Sequence, residues 1–86
     1  LREELPDALA QISEAMDRSA WPLLQQLAHH LKNSAMVVRD DDLFTACAEV
    51  ELAAGREDVA AARAAWTNCL RAAARWRSEP ELPVFP

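Results

Sequence analysis

Eighty-six residues make one small domain, and a hydrophobic share of 51% led by Ala and Leu, with one Gly and no Tyr, predicts an all-α fold, because these residues favour helix far more than strand. The formal net charge of −5 is lopsided, with eight acids against four bases in residues 1–43 and six acids against five arginines in residues 44–86. That balance excludes a nucleic-acid duplex as the natural partner, since phosphate contacts need a clustered basic surface, and it suits a protein partner better.

Four amphipathic segments follow in chain order. In the first, Leu5, Leu9, Ile12 and Met16 recur at helical spacing, and Pro6 is tolerated in the opening turn, where its missing N–H would be unpaired anyway. This helix is predicted to end near Asp17-Arg18. Ser19 is the expected N-cap of the second helix, which carries Pro22 in its first turn and runs to about Val38. The triplet Asp40-Asp41-Asp42 supplies a cap and favourable negative charge for a third helix, with a stripe of Leu43, Cys47, Val50 and Ala54. That helix should close at Gly55 in a left-handed cap. Glu57 and Asp58 open a fourth helix whose stripe of Val59, Ala62, Trp66, Leu70 and Ala73 extends to about Arg77.

Short connections between consecutive helices favour antiparallel neighbours, so the expected architecture is an up-down four-helix bundle over residues 1–79. Residues 80–86, Pro-Glu-Leu-Pro-Val-Phe-Pro, read as a Pro-rich tail. Cys47 and Cys69 lack metal-site or disulfide-framework spacing and read as reduced core thiols in a cytoplasmic setting. No apolar run approaches the ~18 residues that cross a bilayer, and no signal peptide is visible. A chain opening on Leu1 is compatible with a longer parent that has a membrane anchor elsewhere.

The second segment concentrates the chemistry. On a helix of about 100° per residue, Leu24, Leu27, Leu31, Ala35 and Val38 fall within roughly 80° of one another as a core stripe. His29 comes out about 160° from its middle, with Gln25 and Gln26 one turn earlier and Lys32, Asn33 and Met36 one and two turns later. His29 is thus expected to be exposed beside a cation, whereas His30 sits on the flank. Adjacent histidines point about 100° apart, so His29-His30 does not form a metal site. No glycine-rich loop exists to hold nucleotide phosphates.

The run Ala28-His29-x-Leu31-Lys32-x-Ser34-Ala35, followed by Leu43, Cys47, Val50 and Glu51, resembles the histidine-containing phosphotransfer (HPt) domain of bacterial phosphorelays. The motif covers roughly residues 24–54. The resemblance implies an antiparallel bundle whose exposed histidine takes a phosphoryl group from one receiver-domain aspartate and gives it to another, often at the C-terminal end of a hybrid sensor kinase. It puts His29 in the phosphoacceptor role through Nε2, Lys32 in stabilising the added charge, and Glu51 in bonding the other ring nitrogen. Ser34 matches a small residue that lets the helix pack closely. The chemistry agrees: a neutral imidazole near its ordinary pKa of about 6.5 is a usable nucleophile at neutral pH. Glu51 lies about 60° off the third helix's seam, at the border with a neighbouring helix. The domain would need no cofactor of its own, any Mg²⁺ residing in the response-regulator receiver. That receiver is expected to dock over the His29 face, with a rim of Gln25, Gln26, Asn33, Met36 and the start of helix one, on a domain that is itself monomeric.

Two positions depart from the family pattern. Asn33 stands where the family usually has Gly four residues after the histidine, and Arg39 where it usually has Gly ten residues after. Asn33 would narrow access or add an amide donor, and Arg39 would mark the end of the second helix. They leave room for a different reading, a helical module that binds a receiver without phosphotransfer. Without the register, His29, Lys32 and Glu51 would be ordinary surface residues. Trp21, Trp66 and Trp76 read as core and edge packing, and Arg63, Arg71, Arg75 and Arg77 as a solvated face.

Overall fold

The apolar spacing and proline placement read from the chain produce four helices: α1 (Leu5–Asp17), α2 (Trp21–Val37), α3 (Asp41–Gly55) and α4 (Val59–Ser78). The computed structural model describes residues 3–78, with only the backbone described for Arg77 and Ser78. The expected tail, 80–86, lies outside the described residues. Pro6 and Pro22 fall in the first turns of α1 and α2, where a missing N–H removes no helical bond. Each helix packs chiefly on its neighbours in sequence, and three-residue links join them. The result is the four-helix bundle expected from the short connections.

The three links share one backbone design. Arg18, Val38 and Arg56 close the helices, and Ser19, Arg39 and Glu57 then take left-handed φ values of 54°, 60° and 54°. The N–H groups of Ala20, Asp40 and Asp58 reach back to the carbonyls of Ala15, Ala35 and Ala53 at 2.9, 2.9 and 3.0 Å. This is the Schellman closure, which satisfies carbonyls that the helix leaves open. Three expectations are corrected by it, the first being that Glu57, expected to open α4, takes the left-handed position of the link before it. Ser19 is not the N-cap of α2; it occupies the left-handed position, and Ala20 precedes the helix with no side-chain cap. Gly55 is not left-handed either, because α3 continues through it and Glu57 makes the turn. Arg39 does mark the end of α2, with a left-handed φ that a glycine would adopt without strain.

The core follows the predicted stripes in α1 and α3. In α2, Leu24, Leu31 and Ala35 are buried, but Ala28 takes the central position, Leu27 is half-buried, and Val38 lies beyond the helix end and is exposed. The largest correction is in α4. Val59 and Leu70 are exposed, while Ala65, Cys69 and Ala72 join Ala62 and Ala73 in the core. Because α4 packs mainly on α3, a narrow seam of small side chains brings the two helices together and leaves the bulkier residues outside. The three tryptophans are partly buried against the core, as expected of packing residues. Among the described residues no helix is long and apolar enough to cross a membrane.

Cys47 and Cys69 are free and buried, with their sulfurs 3.8 Å apart across the α3–α4 seam. The hydrogen bond with Cys69, and then burial, push the Cys47 thiol far above its ordinary range, so it stays protonated at neutral pH.

Asp40 is the buried acid that ties the fold's end together. Its Oδ1 accepts from the Leu43 N–H at 3.1 Å, capping α3, and from Arg75 Nη2 at 2.8 Å, while its Oδ2 accepts from Trp76 Nε1 at 2.7 Å. Arg75 is therefore not simply part of a solvated face: it links α4 to the start of α3, with Asp42 a further 3.5 Å contact. Arg63 and Arg71 are exposed as expected, and the Arg77 side chain is outside the described residues.

Candidate functional site

One unbroken helix from Trp21 to Val37 sets the spacing of the site, because residues three and four apart meet on its surface. Burial of Leu24, Ala28, Leu31 and Ala35 turns the opposite side outward and leaves the His29 side chain 52% exposed. Lys32 follows one turn later, more enclosed at 21%. The Asp40 cap starts α3 in a register that brings Glu51 against this face of α2, 22 residues after His29.

Glu51 bridges both groups. Its Oε2 lies 3.0 Å from His29 Nδ1, and its Oε1 lies 2.8 Å from Lys32 Nζ. Burial acts to raise the Glu51 pKa, but hydrogen bonds from Lys32 and His29, followed by their charges, hold it below its ordinary value. An ionised Glu51 can only accept, so the contact selects the neutral tautomer with the ring hydrogen on Nδ1 and the lone pair on Nε2. Of the three residues singled out from the sequence, Glu51 is thus in direct contact with both of the others. Lys32, expected one turn from His29, is itself ion-paired with Glu51.

Phe44 was not singled out from the sequence. Its ring centroid lies 5.9 Å from Lys32 Nζ, at the outer limit of a cation–π contact. The available signal was its place seven residues before Glu51, on the same side of α3. Lys32 is therefore bracketed by an anion and an aromatic ring.

The predicted rim residues Gln25, Gln26, Asn33 and Met36 are all exposed on α2. At the start of α1, Glu3, Glu4, Asp7 and Ala8 line a groove with His30, Leu27 and Ser34. The Ser34 hydroxyl donates back to the His30 carbonyl at 3.4 Å and does not enter the site. A separate surface cleft between α2 and α3, of about 530 Å³, is lined by Gln25, Lys32, Glu51, Gly55 and Arg56 among others. Gly55 makes a close approach possible here, since a Cβ at this position would lie 3.0 Å from Gln25 Nε2. Among the described residues no group of three or more His, Cys, Asp or Glu side chains is arranged to hold a metal ion.

An exposed imidazole with one nitrogen held by a carboxylate and the other open can act as a nucleophile, and a neighbouring ammonium can stabilise an anion added to it. The family model for the Hpt domain matches residues 1–76. No curated protein and no solved structure gives a significant match.

Proposed function

The chain belongs to the Hpt domain family, the histidine-containing phosphotransfer modules of two-component signalling, and we propose that it is a phosphorelay intermediate with His29 as its phosphoacceptor. In this reading a receiver domain presents an aspartyl phosphate to the α2 face. The His29 Nε2 lone pair attacks phosphorus as the P–O bond to the aspartate breaks. The phosphoryl group passes to nitrogen, and the aspartate leaves as a carboxylate. The reverse step, onto the aspartate of a second receiver, completes the relay.

Glu51 serves this step at Nδ1. It keeps the hydrogen on that nitrogen, so that Nε2 is the reactive one, and its charge offsets the positive charge that grows on the ring during attack. Lys32 supplies the compensating charge for the phosphoryl oxygens, and to do so it must share or exchange its contact with Glu51. The rim of Gln25, Gln26, Asn33 and Met36 meets the receiver. Nucleotide and Mg²⁺ chemistry belongs to the partners, and a hybrid sensor kinase is the parent protein this role fits.

The observation that carries the reading is the 3.0 Å contact between His29 Nδ1 and Glu51 Oε2 on a half-exposed ring. Incubation with a phosphorylated receiver, followed by assay for an acid-labile, base-stable label, tests it. Label is expected on the wild-type chain and not on His29→Ala. A wild-type chain that takes up no label, or a His29→Ala variant labelled as fast, would sink the proposal. Receiver binding with no transfer would instead support the binding-only module.

A further inference from the structure

The chain has one glycine, and it stands at the last position of α3. A glycine in a helix is disfavoured relative to alanine, and its usual justification is a left-handed φ. Gly55 has no positive φ, so backbone conformation does not require it. Space is the remaining reason. A Cβ would lie 3.0 Å from Gln25 Nε2 and 3.7 Å from its Cδ, and the first of these is closer than ordinary van der Waals contact.

Gln25 precedes His29 by one helical turn and lies on the same face of α2. Its carboxamide lines the cleft shared with Lys32, Glu51 and Arg56. Among the described residues that carboxamide has no hydrogen-bond partner, although a side-chain amide offers two donors and an acceptor. It lies against Gly55, exposed at the surface and beside Lys32 and Glu51.

We propose that Gly55 is a positioning residue whose missing Cβ seats the Gln25 carboxamide over the end of α3, where that amide hydrogen-bonds a docking receiver domain. The inference rests on the phosphorelay reading and deepens it by naming a determinant of partner recognition. An alanine at 55 displaces only the far end of a flexible side chain, so the helix can keep its place while the amide moves.

The test compares Gly55→Ala, Gln25→Ala and the double variant by thermal unfolding, by the side-chain amide resonance of Gln25, and by transfer rate against receiver concentration. Gly55→Ala is expected to melt at or above the wild-type temperature and to shift the Gln25 resonance. The receiver concentration at half-saturation should rise about three- to tenfold, the loss of one hydrogen bond, with the effect falling there and not on the saturating rate. Gln25→Ala should do the same, and the double variant should add nothing to it. Unchanged half-saturation in Gly55→Ala, an effect confined to the saturating rate, or full additivity of the two changes overturns the inference. A wild-type chain that transfers nothing overturns the phosphorelay reading instead, and the Gln25 resonance in Gly55→Ala then still decides whether Gly55 seats the amide.

Discussion

Lys32 Nζ lies 2.8 Å from Glu51 Oε1, so the only lysine in the chain is ion-paired within the domain itself. The pair is neutral, and the same carboxylate holds His29. On the proposed reading, a phosphoryl group added to His29 competes with Glu51 for the ammonium, and both partners become open to test.

Glu51→Gln keeps an acceptor for Nδ1 and removes the negative charge. We expect it to slow phosphoryl acceptance by about tenfold, the order of one charge-assisted hydrogen bond, with little change in receiver affinity. Lys32→Met, which keeps the packing against Phe44, should slow acceptance at least as much. Initial rates of His29 labelling measure both, and wild-type rates in both variants would reduce the bridge to a structural contact.

The lowered pKa of Glu51 sets the sign of a pH effect. The folded state binds this proton more weakly than the unfolded chain, so the bridge contributes fully above the ordinary carboxylate range of about 4.3 and is lost as pH falls through the lower folded value. The difference in melting temperature between wild type and Glu51→Gln should therefore be largest above that range and close on acidification. A gap that widens toward low pH would contradict the assignment.

Asp40 concentrates three bonds from two helices on one buried carboxylate. Asp40→Ala removes a helix cap and leaves the Trp76 N–H and the Arg75 guanidinium without this partner. We expect a loss of about 2–4 kcal/mol, combining the cap and the broken hydrogen bonds. Chemical denaturation followed by tryptophan fluorescence reads it, and Arg75→Ala, at an exposed side chain, should cost less.

Arg39 carries a Cβ at a φ of 60°, a conformation glycine adopts without strain. Arg39→Gly should raise stability by about 0.5–1 kcal/mol, the strain relieved being partly offset by the added freedom of the unfolded chain. Gly55→Ala should behave alike for the opposite reason, since its backbone is already helical. Two melting curves decide the matter, and a destabilised Arg39→Gly would mean that the arginine side chain stabilises the link.

The helical class, the four segments, the core stripes of α1 and α3 and the outward placement of His29 were all legible in the sequence. They depend on periodicity within one helix, where a rotation of about 100° per residue turns position directly into direction. Lys32 beside His29 followed from helical spacing, but the addition of Glu51 to the pair was legible only through the family resemblance. Their distances, and the prior pairing of Lys32 with Glu51, depend on how α2 and α3 sit against each other. The same limit explains the misplaced features. The α4 stripe shifts because packing against α3 selects small residues over Val59 and Leu70, and the left-handed links fall on Ser19, Arg39 and Glu57 because Schellman closure can accept a side chain at modest cost. Gly55 shows the difference most clearly. Composition marks it as singular, but only the approach of Gln25 from another helix reveals that space, and not backbone conformation, is what it provides.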